Sequence, residues 1–148
     1  MQKVVIGSDH AGFEMKERIK KELGLEYEFV DVGTDSAESA DYPIYAEKVG
    51  QQVALTPGQK GVLICGNGVG ITIAANKVNG VRAGLAYSVE SAKSARQHND
   101  ANIVSVGGRS PMLDDPVEIV RTFLTTDFSG EERHARRVQE MMEIEKRN

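Results

Sequence analysis

Short β-branched runs alternate with amphipathic stretches from one end of this chain to the other, and that alternation restricts the fold more than any other feature. Residues 3–7 (KVVIG) are apolar on both faces, as a central parallel strand should be. Residues 13–23 follow, with Phe13, Met15, Ile19 and Leu23 at loosely helical spacing among charges. A second short strand is expected at 28–32, a polar loop at 33–41 and a helix at 42–55, closed by Pro57-Gly58. The third strand, 61–65 (GVLIC), runs directly into Gly66-Asn67-Gly68-Val69-Gly70 and a helix reaching about Val78. A strand at 81–87, a helix at 90–97 and a strand at 102–106 come next. Helices at 114–124 and 132–145 close the chain, with Phe128-Ser129-Gly130 as the break between them. Five strands joined through helices imply right-handed crossovers and a parallel sheet covered on both faces, a three-layer α/β arrangement. With 148 residues and no repeat or linker, the chain reads as one domain, 1–148. A chain of this length buries about 70% of its unfolded surface and needs no disulfide or metal staple.

Composition removes several classes of function. Eighteen Lys and Arg against 22 Asp and Glu give a net charge of −4, which lacks the basic excess that nucleic-acid binding requires. No apolar run approaches the ~18–20 residues that span a bilayer, so no membrane partner is expected. The N-terminal apolar stretch stops after four residues at Ser8-Asp9-His10, unlike a signal peptide, and points to a cytoplasmic protein. The single cysteine, Cys65, cannot form an internal disulfide or a cysteine-rich zinc site. No two candidate ligands share a recognised metal spacing, so no metal is expected.

In a parallel α/β sheet, ligands bind beyond the carboxyl ends of the strands, where the strand order reverses. The residues placed there are Ser8, Asp9 and His10 after the first strand, and Cys65 with the glycine loop after the third. Tyr87-Ser88 follows the fourth and Gly107-Gly108-Arg109 the fifth. His98, Asn99 and Asp100 lie between the fourth helix and fifth strand, and two of the three histidines are expected to face the same rim as Cys65.

Three glycines within 66–70 let successive main-chain N–H groups turn towards one point, where they hold a phosphate or a developing oxyanion. The same glycines also suit a plain tight turn. A dinucleotide site is excluded, because the spacing is G-x-G-x-G at the third strand rather than G-x-G-x-x-G at the first. Glu90, twenty residues past Gly70, falls at a helix start and not at a strand end.

An isolated cysteine is most often a packing residue. Beside a helix N-terminus and a set of N–H donors, Cys65 also suits covalent attack on a carbonyl or removal of a proton alpha to one. His10 and His98 are surface residues or proton carriers near pH 7. Arg133 and Arg137 are four apart, so their guanidinium groups share a helix face and suit one phosphate; a solvated face paired with Glu132 and Glu140 is the alternative. Met141 and Ile144 extend that helix as an apolar stripe suited to a partner subunit.

The segments SDHAGFEMK (8–16), DYP (41–43), LICGNGVGITIAANK (63–77), RQHNDANIVSVGGR (96–109) and ERHARRV (132–138) together closely resemble the ribose-5-phosphate isomerase B family, the RpiB/LacAB sugar-phosphate isomerases. The resemblance spans nearly the whole chain. It implies a Rossmann-like sheet without a dinucleotide, and an aldose–ketose isomerase of D-ribose 5-phosphate and D-ribulose 5-phosphate, in the non-oxidative pentose phosphate pathway. No cofactor is implied. By resemblance, Cys65 is the base that moves the proton between C1 and C2, and Gly66, Asn67, Gly68, Val69 and Gly70 form the loop that stabilises a cis-enediolate. His98 opens the furanose ring with help from Asp9. His10, Arg109, Arg133 and Arg137 contact phosphate and substrate, and Asn99 contacts the sugar. The resemblance further implies a homodimer or dimer of dimers whose active sites share residues across the interface. Ile71 stands where one branch of the family has a glutamate base, which places this chain with the cysteine branch. Asn67 replaces the usual Thr or Ser and has no hydroxyl proton to relay. Glu131-Glu132 replaces a common Gly-Gly, and weaker phosphate binding is expected. Alternatives are an isomerase of allose 6-phosphate or galactose 6-phosphate, a non-catalytic phosphosugar-binding protein, and a cysteine hydrolase.

Overall fold

The computed structural model describes all 148 residues. Five strands, β1 (Gln2–Ser8), β2 (Tyr27–Asp31), β3 (Lys60–Cys65), β4 (Ala83–Leu85) and β5 (Ile103–Gly107), form one sheet in the order β2-β1-β3-β5-β4. Every pairing is parallel. The helices are α1 (Phe13–Leu23), α2 (Tyr42–Leu55), α3 (Val69–Ala75), α4 (Val89–Asn99), α5 (Pro116–Thr125) and α6 (Glu132–Lys146), with a 3-10 turn at His10–Gly12.

The period-2 geometry of the central strands divides the core in two. Val4, Ile6, Val62, Ile64, Val104 and Val106 pack with buried residues of α1, α4 and α5. Val5, Leu63, Cys65 and Ile103 face the other way, onto α2 and α3. Both faces of the sheet are therefore covered, as strands apolar on both faces require. The strand order reverses between β1 and β3, so the carboxyl ends of these two strands border the crevice.

Most boundaries lie one or two residues from expectation, and three of them bear on the site. The strand expected at 81–87 is cut to Ala83–Leu85. On its N-terminal side the main-chain N–H groups of Arg82 and Ala83 donate to the side chains of Asn102 and Asn76. On the other, Tyr87 and Ser88 donate to Ser91 Oγ in the capping box that starts α4. The glycine-loop helix stops at Ala75 instead of Val78, and Gly80 then turns with a φ of 90°. Finally, α4 runs to Asn99, so His98 and Asn99 occupy its last turn rather than a loop.

A charge pair between a buried lysine and a more accessible aspartate steadies the strand that carries the first candidate residues. Lys16, only 1% exposed, lies 2.5 Å from Asp31 Oδ2, and Asp31 Oδ1 accepts the Gly33 N–H. Partial burial opposes ionisation of Asp31, but bonds from Lys16, Lys20 and Gly33 outweigh it and hold its carboxyl below the usual range. Gly33 and Thr34 in turn bond the main chain of Ser8, one residue before Asp9.

Candidate active site

The carboxyl end of β3 is the meeting point of three loops. The Asp9 N–H donates to the Ile64 carbonyl, while Gly108 and Arg109 donate to the carbonyls of Cys65 and Gly66. Close approach is a condition of this arrangement. A Cβ on Gly12 would lie 2.5 Å from the Ile64 carbonyl oxygen, and one on Gly108 would lie 2.8 Å from that of Ala11. Asp9 is buried, and its Oδ1 caps the following turn by accepting the Gly12 N–H at 3.0 Å. His10 is half-buried, with Nδ1 3.1 Å from both the main-chain N and O of Ala40. The 33–41 loop therefore orients this imidazole.

Cys65 is 4% exposed, and the Gly68 N–H donates to its Sγ at 3.2 Å. That bond depends on Gly68 adopting a φ of 84°, in the left-handed region that side chains disfavour. A Cβ there would meet Leu85 Cδ1 at 2.6 Å and the Val106 carbonyl carbon at 3.1 Å. Gly68→Ala is therefore expected to destabilise the fold by about 1–3 kcal/mol, read from the urea midpoint. An unchanged midpoint would show that the turn tolerates a side chain.

The loop presents donors as the sequence suggested, with two of them already engaged. Gly68 donates to sulfur, and the Val69 N–H donates to Asn67 Oδ1 at 2.9 Å. The N–H groups of Gly66, Asn67, Gly70 and Ile71 donate to no protein atom. They are uncompensated positive dipole ends in the loop and helix start that directly follow Cys65, which suit an oxyanion.

Tyr42 belongs to this rim and was not among the sequence candidates. A Cβ on Gly70 would lie 2.7 Å from its ring, so the aromatic side chain rests on the glycine loop from the start of α2. The signal was the DYP segment, which the resemblance included without a role for the tyrosine. Arg109 is exposed at this same rim.

His98 and Asn99 are not at this rim, contrary to expectation. Helix α4 runs antiparallel to the strands, so its last turn lies at the amino ends of β3 and β5, where the Gly61 N–H donates to the Asn102 carbonyl. Four residue steps separate that level, Gly61↔Ile103, from Cys65↔Gly107, or about 13 Å along the strands. Arg133 and Arg137 lie on α6 beside them. The rings of His98 and His134 stack with centroids 4.5 Å apart, and Arg133 Nε lies 3.4 Å from His134 Nε2. Burial and the Arg133 charge hold His134 below the ordinary histidine range. His98, Asn99, Arg133 and Arg137 are all exposed.

The acidic pair before the arginines has a definite partner for each member. Glu131 bonds Arg133 at 3.0 Å and Glu132 pairs with Arg136 at 3.3 Å, leaving Arg137 with no carboxylate partner. The chain thus carries two incomplete constellations at opposite ends of its sheet. One holds a sulfur and N–H donors; the other holds imidazole and guanidinium groups. No helix is long and apolar enough to cross a membrane.

Known proteins resemble this chain over nearly its whole length. The sequence model of the family described as Ribose/Galactose Isomerase matches residues 4–141. Ribose-5-phosphate isomerase B of Escherichia coli (strain K12) is 43% identical over 150 residues, covering 99% of each chain. The structure of ribose-5-phosphate isomerase B from Clostridium thermocellum superposes with a TM-score of 0.93 at 45% identity, over 99% of each chain. The Mycoplasma genitalium enzyme, whose structure contains bound ribulose-5-phosphate, superposes with a TM-score of 0.92 at 37% identity, over 99% of this chain and 97% of its own.

Proposed function

Since the chain belongs to the ribose/galactose isomerase family, we propose that it interconverts D-ribose 5-phosphate and D-ribulose 5-phosphate through a cis-enediolate, with Cys65 as the base. The observation that carries this reading is the buried Cys65 Sγ, which accepts the Gly68 N–H at the head of a loop where four further main-chain N–H groups have no protein acceptor. In the open-chain aldose the sulfur takes the proton from C2 and returns it to C1, while the hydroxyl proton of O2 moves to the C1 oxygen, so that C2 becomes the carbonyl carbon. The negative charge that develops on the substrate oxygens meets the N–H groups of Gly66, Asn67, Gly70 and Ile71, a dipole arrangement already in place before reaction.

The remaining roles fall to both ends of the sheet. Asp9 and His10 hold the sugar beside Cys65, with Tyr42 over the loop and Arg109 at its edge. His98 opens the ring, Asn99 holds a hydroxyl, and Arg133 with Arg137 binds the phosphate. Asn67 has little part in ring opening, because its side-chain oxygen is engaged by Val69. Glu131 competes with the phosphate for Arg133 and weakens the clamp. An extended pentose phosphate does not cover the span between the two constellations of one chain. A second copy supplies the missing half, each protomer bringing His98, Asn99, Arg133 and Arg137 to the other's Cys65. A two-fold dimer achieves this reciprocally, because an isologous interface builds both sites at once. The exposed Met141 and Ile144 of α6 supply apolar surface for it.

Proton NMR of D-ribose 5-phosphate incubated with the pure protein in D2O tests the reaction. Ribulose 5-phosphate should accumulate with deuterium at the exchanged carbon. No conversion and no exchange would remove the pentose assignment and turn attention to six-carbon phosphates.

A further inference from the structure

A polar hollow in the molecule lies away from Cys65. It opens at the amino end of the sheet, between the turn that leads from α2 into β3 and the start of β4, with a volume of about 250 Å³. That is below the ~300–1,000 Å³ of drug-sized pockets and about eight times the share of one liquid water. Its lining is polar; only Val53 and Ala54 of its twelve residues are hydrophobic.

Three cations meet there, Lys60, Arg82 and Arg96, against one lining carboxylate, Asp100. Asp100 is shared, lying 2.9 Å from Arg96 and 3.4 Å from Arg82. Its main chain is held at a φ of 46°, an uncommon conformation for a residue with a side chain, and its carbonyl oxygen accepts two further bonds from Arg82. One negative charge thus serves two guanidinium groups, and Lys60 has none in the lining. Lys60 is half-buried, and its ammonium makes one long bond, 3.4 Å, to the Leu124 carbonyl. Burial and the nearby Arg96 push it below its ordinary value, with Asp127 and Asp100 opposing. Arg82 Nη1 faces only the weak thioether acceptor of Met142. The lining amides, by contrast, are spent inwards. Gln59 donates to Lys3 and Lys60 carbonyls, and Asn102 bridges Gly80 and Arg82.

Buried charges are normally paired, so a concave site with two positive charges in excess and unspent donors is half of an interaction. We propose that this hollow is a second anion site, separate from the isomerase site, which takes a phosphate dianion, free or as the end group of a small phosphorylated metabolite. Arg96 is spent on the Thr126 and Ala101 carbonyls and on Asp100 and contributes charge, while the Arg82 guanidinium and the Lys60 ammonium supply the donors that such a dianion takes. The assignment does not depend on the catalytic reading, since none of these cations takes part in it.

The test is calorimetric titration of the full-length protein with inorganic phosphate, in an Arg133→Ala/Arg137→Ala background that removes the proposed catalytic clamp. One phosphate should still bind per chain. Adding Lys60→Met, which keeps the apolar stem and loses the charge, should weaken that binding at least tenfold. Adding Asp100→Asn should tighten it severalfold, because asparagine tolerates the left-handed conformation and removes the competing charge. Loss of folding cannot mimic a gain in affinity. Unchanged affinity in the Lys60→Met protein, or weaker binding with Asp100→Asn, would overturn the proposal. A failed catalytic clamp shows separately, as wild-type phosphate stoichiometry in the background protein. Glycerol 3-phosphate run beside inorganic phosphate separates the two sources: equal affinity marks a site for the phosphate alone, and tenfold tighter binding marks a phosphorylated metabolite.

Discussion

Cys65→Ala is expected to lower kcat by about 10²–10⁴-fold, the range supplied by a positioned general base, while leaving the affinity for inorganic phosphate within about threefold of the starting protein. The split follows from the separation of tasks. In the proposed mechanism, proton transfer uses the sulfur at the carboxyl end of β3, whereas the phosphate meets arginines of α6, which each chain carries at the other end of its sheet. The alanine variant also leaves the Gly68 N–H without its acceptor, a defect of about 1–3 kcal/mol for a buried donor. Cys65→Ser therefore runs beside it, since a hydroxyl retains the hydrogen bond and is a far poorer base at neutral pH. Both variants should fail to exchange deuterium into substrate in D2O. A serine variant that keeps more than about a tenth of the wild-type kcat would dismiss sulfur as the base.

Two inactive variants should restore activity when they share a dimer. Cys65→Ala lacks the base, and Arg133→Ala/Arg137→Ala lacks the clamp, so each is expected to be nearly inactive alone. If each site takes its base from one protomer and its clamp from the other, a mixed dimer contains one site with both lesions and one site with neither. An isolated mixed dimer then has about half the wild-type activity, and an unsorted co-expressed mixture about a quarter, by random pairing in a two-fold dimer. Co-expression with two affinity tags and steady-state assay of the doubly purified species measures this directly. Activity no greater than the sum of the parents would show that base and clamp act within a single chain. It would then require α6 to reach a rim about 13 Å away along the strands.

Much of the fold was legible because its signals are local. Short runs rich in Val and Ile at 3–7, 61–65 and 102–106, apolar on both faces, specify buried strands, and no distant residue is needed to read them. The errors fell where side chains from elsewhere take over main-chain partners. Asn76 and Asn102 replace ladder bonds at the start of β4, and the Ser88–Ser91 box ends it. The recognised segments ran through both constellations, yet Tyr42 was passed over. Its part rests on where the ring lies against Gly70, a contact between residues 28 positions apart.

The sequence by itself determined the strand–helix alternation, the glycine turn after Cys65 and the family, because these rest on residue type and spacing along the chain. Only the tertiary structure decided which candidates share an end of the sheet. A helix that crosses back between parallel strands carries its two ends to opposite rims, so proximity in sequence to β5 sends His98 away from Cys65 instead of towards it. The packing gathers Lys60, Arg82, Arg96 and Asp100, drawn from three different segments, around one hollow. Charge excess at a point in space is a property of the packed chain, and a net charge of −4 over the whole sequence gives no hint of it.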